Sequence, residues 1–260
     1  MRPKRSLGQN FLRDDDVVRR IVASLDILPD DTVVEIGPGR GVLTERLVET
    51  GASIVAVEID RELIPVLERR FADKDKFQVI EADFLTVDVD AVIGSIPPER
   101  LKIVGNLPYY ISTPIIQRLI TFGARFDRAV LMLQREVVER LTAEPGNSHR
   151  GFITVLTENS FKTKHLFDVP PEAFFPAPKV WSSVMSLIPT GVDISDHAKL
   201  SPLLSAAFAQ KRKTILNNLK TYSPNAGELL QLSGIEPIRR AETLTLAEWK
   251  QLCSAIDQYQ

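Results

Sequence analysis

From residue 32 onward, short apolar runs alternate with stretches of helical periodicity. The apolar runs cover residues 32–37, 53–60, 77–83, 101–106 and 128–134, and the helical stretches between them cover 41–50, 61–71, 112–121 and 135–141. Strands rich in β-branched residues, separated by helices of about ten residues, are typical of parallel βαβ units with helices on both sheet faces. The pattern predicts a doubly wound, Rossmann-like α/β domain.

The pattern changes in the last third of the chain. Residues 162–169 and 179–188 read as two further strands joined by a proline-rich segment, so we expect an antiparallel pair at the sheet edge. Residues 189–197 resemble a linker, and 200–222, 226–233 and 245–259 read as helices. We therefore expect a catalytic domain over 1–189, with a basic N-terminal arm, and a small helical companion domain over 198–260.

Composition narrows the class of protein. The 260 residues are 44% hydrophobic, which allows a substantial core. No apolar stretch approaches the roughly 20 residues of a membrane span, and no apolar segment follows the basic N-terminus. A single cysteine, Cys253, and three scattered histidines favour neither a disulfide nor a metal site. We expect a reduced, cytoplasmic, metal-free protein with no membrane partner.

The net charge of −2 hides a segregation of charge along the chain. Residues 1–13 carry a net +4, residues 14–120 a net −8, and residues 121–260 a net +2. Affinity for phosphates depends on local patches rather than on the total charge. The basic arm and the mildly basic second half are therefore compatible with RNA binding.

A glycine-rich loop follows the first predicted strand. Gly37, Gly39 and Gly41 open the next helix, where glycines let the backbone turn sharply and approach a ligand. A dinucleotide site has its third glycine one position later, where this chain has Val42. The observed spacing, with Glu35 on the preceding strand, fits S-adenosylmethionine better than NAD.

Two acids follow the next two predicted strands. Glu58 ends the second strand, where an acid accepts hydrogen bonds from ribose hydroxyls, and Asp83 follows the third, where a carboxylate can accept from an adenine amino group. An acid at one strand end is often only solvated. Together with the glycine loop, however, these acids predict a nucleoside cofactor, S-adenosylmethionine.

The fourth strand ends in a string that suits chemistry on an amino group. The side-chain oxygen of Asn106 and the backbone carbonyl of Leu107 can accept both hydrogens of adenine N6, which favours a pyramidal nitrogen with an available lone pair. Tyr109 offers a face for the base. Phe174 or Phe175 can form the opposite wall of a pocket for a flipped-out base. The alternative is that Phe174 is a core residue, but the presence of residues 106–109 favours the pocket.

Eight motifs in order resemble the KsgA family of ribosomal RNA adenine dimethyltransferases. They are LGQNFL (7–12), EIGPGRGVLT (35–44), VEID (57–60), EADF (81–84), NLPYYIST (106–113), LMLQREVVERL (131–141), FFPAPKVWSSV (174–184) and KRKTILNNL (211–219). That family dimethylates two adjacent adenines in a hairpin loop near the 3′ end of 16S small-subunit rRNA. The resemblance implies 16S rRNA, in the small subunit or its precursor, as the partner. We expect the protein to act as a monomer.

The resemblance also implies roles for individual residues. Tyr109 and Phe174 would sandwich the adenine, and six residues would line the cofactor pocket: Asn10, Leu12, Gly37, Glu58, Asp83 and Asn106. A basic group on a predicted helix of the companion domain would contact phosphates, although a solvated helix face is the alternative: Lys211, Arg212, Lys213 and Lys220. Tyr110 and Glu158 depart from the family's frequent Asn and Gln, which puts local RNA contacts in doubt.

Three other functions remain open at this point. A related family methylates an adenine of large-subunit rRNA and confers macrolide resistance. Transcription factors of the same fold need only bind nucleic acid. An NAD-dependent reductase is disfavoured by Val42.

Overall fold

We describe the fold from a computed structural model, which covers residues 10–88, 92, 94–192 and 194–259. Most of the basic N-terminal arm, residues 1–9, lies outside the described residues. The strands are β1 (Phe11–Leu12), β2 (Thr32–Ile36), β3 (Ser53–Glu58), β4 (Phe77–Glu81), β5 (Leu101–Asn106), β6 (Arg128–Gln134), β7 (Phe161–Val169), β8 (Phe174–Phe175) and β9 (Ser182–Pro189).

Within the described residues, seven of these strands form one sheet. Its order is β4-β3-β2-β5-β6-β9-β7, and neighbours from β4 to β6 pair in parallel. Strand β9 runs antiparallel to β6, and β7 lies beyond it at the edge. The strand order reverses between β2 and β5. Open α/β sheets bind ligands in the crevice that forms at such a reversal. The doubly wound α/β fold predicted from the sequence is confirmed.

Helices alternate with the strands along the chain and make up most of its C-terminal region. They are α1 (Asp15–Ala23), α2 (Val42–Val48), α3 (Ile64–Arg70), α4 (Ser112–Phe122), α5 (Arg135–Leu141), α6 (Phe152–Ser160), α7 (Ile194–Ala207), α8 (Ile215–Leu219), α9 (Ala226–Leu232) and α10 (Leu246–Tyr259). Among the described residues, no helix combines the length and apolar character that crossing a bilayer requires.

A two-stranded ladder fixes the segment before α1 to the rest of the chain. Strand β1 pairs antiparallel with β8, so that Leu12 lies opposite Phe174 and Phe11 lies opposite Phe175. Because side chains alternate along a strand, one pair of residues faces inward and the other outward. Leu12 and Phe174 are accordingly buried in the hydrophobic core together with Val17 of α1.

The chain forms two compact units whose boundaries differ from the predicted domains. One unit comprises Met1–Val138 and Lys162–Pro189, and the other Glu139–Phe161 and Thr190–Gln260. Residues 139–161, which we had expected in the catalytic domain, therefore belong with the helical unit. Helix α6 packs against α7 and α10, and the Thr154 hydroxyl donates to the carbonyl of Arg140. Helix α7 also begins inside the predicted linker.

The single helix predicted over 200–222 is wrong, because α7 ends at Ala207 and α8 begins only at Ile215. Thr214 caps α8 by accepting the backbone N–H of Asn217. The Asn218 amide donates to the carbonyls of Ala207 (2.7 Å) and Gln210 (3.1 Å), which holds the intervening turn. The basic residues predicted on a helix therefore lie on this turn: Lys211, Arg212 and Lys213. Lys220 follows α8 directly.

Candidate functional site

A cavity of about 230 Å³ opens at the carboxyl ends of β2, β3 and β5. It has an acidic half, formed by Glu35, residues 37–40 of the glycine loop, Glu58 and Asp83, and an amide half, formed by residues 106–109. Most of the predicted site residues line it: Asn10, Leu12, Gly37, Gly39, Glu58, Asp83, Asn106, Leu107 and Tyr109. The structure thus brings together residues from five separate segments of the sequence.

In the acidic half, Glu58 is fastened by backbone N–H groups. Its Oε2 accepts from Gly39 at 3.0 Å and its Oε1 from Asp60 at 2.8 Å. Burial raises the pKa of Glu58, and these hydrogen bonds oppose that shift. The bond from Gly39 ties the glycine loop to the end of β3, so the acid and the loop keep a fixed relative position.

Glu35 is a second buried acid in the same half. Its side chain is 1% exposed, and Oε2 accepts the Thr44 hydroxyl at 2.6 Å. Burial raises the pKa of Glu35 to about 7; the Thr44 hydrogen bond opposes this shift and the nearby Glu58 adds to it. Near neutral pH this carboxyl can therefore be either charged or protonated.

The glycine loop is shaped by one crowded and one open position. A Cβ on Gly41, where φ is +78°, would lie 2.9 Å from Cε2 of Phe71, so only glycine fits at the start of α2. A Cβ on Gly37 would meet nothing within 4 Å, although φ there is +65°. Gly37 therefore leaves open space in the cavity wall that a ligand can approach. Asp83 borders the same space, and its Oδ1 accepts the N–H of Leu85 at 2.9 Å.

In the amide half, the Asn106 side chain is oriented by the segment before β1. Its Nδ2 donates to the backbone carbonyl of Asn10 at 3.2 Å. A side-chain amide that donates on one side retains its oxygen as an acceptor on the other. Leu107 is anchored through its own N–H, which donates to the carbonyl of Met132 at 3.1 Å.

Tyr109 is held through its phenol group. Its hydroxyl lies 2.9 Å from the Oγ of Ser182, a buried residue at the start of β9. Burial raises the pKa of Tyr109, so the phenol is neutral and can share a hydrogen atom with Ser182. The half-buried ring thereby keeps a fixed position on the cavity wall.

Phe174 is not placed where the resemblance implies. Its ring is 1% exposed in the core, and it is not part of the cavity lining, whereas Phe175 is 57% exposed. Pairing with Leu12 in the β1–β8 ladder turns Phe174 inward. The structure therefore agrees with the alternative considered from the sequence, that Phe174 is a core residue.

The two departures from the family pattern have different surroundings. Tyr110 lines the cavity and is 58% exposed. Glu158 accepts from the buried guanidinium of Arg150 at 2.5 Å, and Arg150 also donates to the carbonyl of Ala143. Glu158 therefore stabilises the segment before α6, a structural role that its sequence position did not suggest.

Several residues that line or support the cavity were not identified from the sequence. Thr44 and Ser182 act through hydrogen bonds to residues on other elements, and Phe11 and Ile59 line the cavity. Ile59 had a signal, since an apolar residue directly follows the strand-end acid Glu58. In the described part of the chain, no group of three or more His, Cys, Asp or Glu residues is arranged to hold a metal ion.

Two solved structures with similar folds are a dimethyladenosine transferase and a 23S rRNA methyltransferase. A dimethyladenosine transferase from Plasmodium falciparum superposes with a TM-score of 0.78 at 25% identity, covering 95% of this chain and 98% of that one. The 23S rRNA methyltransferase ErmE superposes with a TM-score of 0.74 at 26% identity, covering 96% and 100%. The sheet is therefore the Rossmann-like methyltransferase sheet that the sequence predicted.

Sequence comparison gives the family. Two similar relatives are both described as ribosomal RNA small subunit methyltransferase A. The one from Clostridium perfringens strain SM101 is 41% identical over 98% of this chain and 91% of its own length. The one from Methylococcus capsulatus is 42% identical over 95% of each chain. Residues 1–258 match the family described as ribosomal RNA adenine dimethylase, and the chain belongs to that family.

Proposed function

We propose that this protein transfers methyl groups from S-adenosylmethionine to the N6 amino groups of two adjacent adenines in the 3′-terminal hairpin loop of 16S rRNA. The product is N6,N6-dimethyladenine, formed during small-subunit biogenesis. One observation carries the proposal: Asn106, oriented by the Asn10 carbonyl, lies on the wall of a cavity whose other half is acidic. The names of the two relatives support the small subunit as the substrate.

The acidic half fits S-adenosylmethionine by its chemistry. Glu58 offers carboxylate oxygens to ribose hydroxyls, Asp83 offers one to an adenine amino group, and Ile59 offers an apolar face. The open position at Gly37 leaves room for a ligand, and Asn10 and Leu12 complete the wall. When bound, the cofactor supplies a methyl group activated by its sulfonium.

The amide half is suited to activating the amino group. In the first transfer, Asn106 Oδ1 and the Leu107 carbonyl accept the two N6 hydrogens, which frees the nitrogen lone pair and stabilises the positive charge that develops there. In the second transfer one hydrogen remains on N6, and one of these two oxygens accepts it. Tyr109 holds the adenine by stacking, in a position fixed by Ser182. No strong base is needed, because the proton leaves to water once the nitrogen is charged. Phe174 would form the opposite wall only if its ring left the core, so the proposal depends on Tyr109.

We propose that residues 198–260 provide phosphate contacts for the RNA. Lys211, Arg212, Lys213 and Lys220 are exposed, three of them on the turn before α8. Replacing any one with alanine should weaken binding and reduce the slope of log K against log salt by about one. Lys250→Ala, an exposed lysine on α10, is the matched control. A salt slope unchanged in all four variants would refute these contacts.

The reaction is tested by supplying labelled S-adenosylmethionine with undermethylated small or large ribosomal subunits. After digestion of the RNA, we expect label in N6,N6-dimethyladenine from small subunits alone. Label only in large-subunit RNA would favour the macrolide-resistance type of activity, and RNA binding without label would favour a non-catalytic factor. We further propose that the protein acts as a monomer in the cytoplasm, which size-exclusion chromatography and cell fractionation test.

A further inference from the structure

Trp181 carries a half-exposed indole ring. The sequence contains two tryptophans, of which Trp249 is fully buried whereas Trp181 is 46% exposed. Burial of an aromatic side chain is strongly favourable, so a large exposed ring leaves apolar surface and a hydrogen-bond donor free for a ligand. The position of Trp181 in the fold indicates which ligand that is.

Trp181 lies at the end of the sheet where β5 and β6 terminate, which is also where the amide half of the cavity lies. Arg135, the first residue after β6, donates its N–H to the carbonyl of Trp181 at 3.0 Å. Strands β5 and β6 are parallel, with Asn106 opposite Met132, so their carboxyl ends share one edge. The residue after Trp181 is Ser182, which holds the Tyr109 hydroxyl. Trp181 is therefore connected to the ring proposed to stack on the target adenine through its peptide bond to Ser182 and the hydrogen bond between Ser182 and Tyr109.

Two more exposed aromatic rings lie in the cavity wall or on a strand paired with it. Tyr110 lines the cavity, and Phe175 pairs with Phe11, which also lines it. Lys179, two residues before Trp181, is exposed and adds positive charge. Exposed aromatic rings with adjacent cationic side chains suit single-stranded RNA, since bases stack on the rings while cations attract the backbone. A membrane or a protein partner would not require the exposed indole to lie next to Ser182, the residue that holds the Tyr109 ring in the cavity.

We propose that Trp181 forms a stacking subsite for the unpaired RNA base that flanks the target adenine pair. The subsite rests on the proposed rRNA function and extends it, because it positions the strand on one side of the base that enters the cavity. Stacking on an indole tolerates any base. Trp181 would therefore contribute to RNA affinity and to the register in which the RNA strand binds, but not to the methyl-transfer step.

The test compares Trp181→Ala, Trp181→Phe and the control Ile188→Ala, which removes an exposed apolar side chain near the other end of β9. With undermethylated small subunits, Trp181→Ala should raise KM about tenfold and leave kcat and the calorimetric Kd for S-adenosylmethionine unchanged. Trp181→Phe and the control should stay within about twofold of wild type. A fall in kcat without a change in KM would mean that Trp181 only supports Ser182, and would overturn the subsite.

A second measurement does not depend on turnover. Short RNAs of the target sequence carry 2-aminopurine at the position on the 5′ or the 3′ side of the adenine pair. Wild-type protein should quench the fluorescence of one of them, and Trp181→Ala should restore it; equal signals with both proteins would overturn the subsite. If wild-type protein quenches the probe but methylates neither ribosomal subunit, the proposed function fails while the stacking subsite stands.

Discussion

The two halves of the cavity are held in place in different ways. In the acidic half, Glu58 is fastened by residues 19 and 2 positions away, and Glu35 by one 9 positions away. In the amide half, Asn106 is bonded to a residue 96 positions away and Tyr109 to one 73 positions away. The acidic half therefore belongs to local βαβ units. The amide half exists only when the N-terminal segment and β9 are both in place.

The largest effect should come from Asn106→Ala, which removes the proposed acceptor from the amide half alone. By analogy with the loss of one preorganised hydrogen-bonding group, methyl transfer should fall about 10² to 10³-fold. Calorimetric affinity for S-adenosylmethionine should change less than about tenfold, because the acidic half is intact. Single-turnover kinetics measure the first quantity.

Asn106→Asp sharpens this test. The aspartate keeps an acceptor oxygen but cannot donate to the Asn10 carbonyl, so its carboxylate and that carbonyl repel. We expect transfer to stay at least about tenfold below wild type. Wild-type turnover in either variant would contradict the role assigned to the amide.

A second substitution should damage both halves together. A Cβ at Gly105 would lie 2.7 Å from Cδ2 of Leu107 in the amide half and 3.1 Å from the carbonyl of Ile36, beside the glycine loop. Gly105→Ala should lower the free energy of unfolding by about 2 to 3 kcal/mol through overpacking and weaken cofactor binding as well. Chemical denaturation and calorimetry measure these effects.

Gly227→Ala provides the control in helix α9, where a Cβ meets only ordinary contact. It should stabilise the protein by about 0.5 to 1 kcal/mol, because alanine favours a helix over glycine. A Gly105→Ala variant as stable as wild type would show that Gly105 is not tightly packed between the two halves of the cavity.

The same contrast explains what could be predicted from the sequence. Hydrophobic periodicity revealed the parallel strands, and motif spacing revealed Gly37, Glu58 and Asp83, since both signals are local. The two-residue β1–β8 ladder has no periodic pattern to detect, which is why the sequence could not decide between the core and the pocket for Phe174. Similarly, no local signal connects Ser182 to Tyr109.

Capping explains the error in the helical region. Periodicity continued across residues 200–222, but the Asn218 amide donates to the carbonyl of Ala207, the last residue of α7, and Thr214 starts a new helix. Local side-chain hydrogen bonds of Asn and Thr compete with helix continuation. A search for these capping residues would have found the turn that carries Lys211.

Glu35, in the acidic half, should make the free energy of unfolding depend on pH. The pKa of Glu35 is about 7 in the folded protein and about 4.5 when exposed, so the folded state binds more protons between these values. The free energy of unfolding should therefore fall as pH rises from 5 to 8, by about 2 kcal/mol for this group. Urea denaturation at both pH values measures the change.

Glu35→Gln should flatten this pH dependence, because the neutral side chain cannot titrate. Glu58, whose pKa is also raised by burial, should leave a residual slope of the same sign. Equal slopes for wild type and Glu35→Gln would show that Glu35 is charged throughout this range.

The smallest effect should come from the long-range hydrogen bond of the amide half. Tyr109→Phe keeps the stacking ring but removes the partner of the buried Ser182 hydroxyl. We expect a loss of about 1 kcal/mol in stability and less than a tenfold loss of turnover. In a double-mutant cycle with Ser182→Ala, the coupling free energy should be about 1 kcal/mol.

Ser183→Ala is the matched control, because the adjacent hydroxyl donates to Asp168 instead, at 2.6 Å. Its effect should add to that of Tyr109→Phe within a few tenths of a kcal/mol. Equal coupling for both serines would mean that Tyr109 responds to any disturbance of β9. Coupling confined to Ser182 would instead show that one hydrogen bond, joining residues 73 positions apart, fixes the ring proposed to hold the adenine.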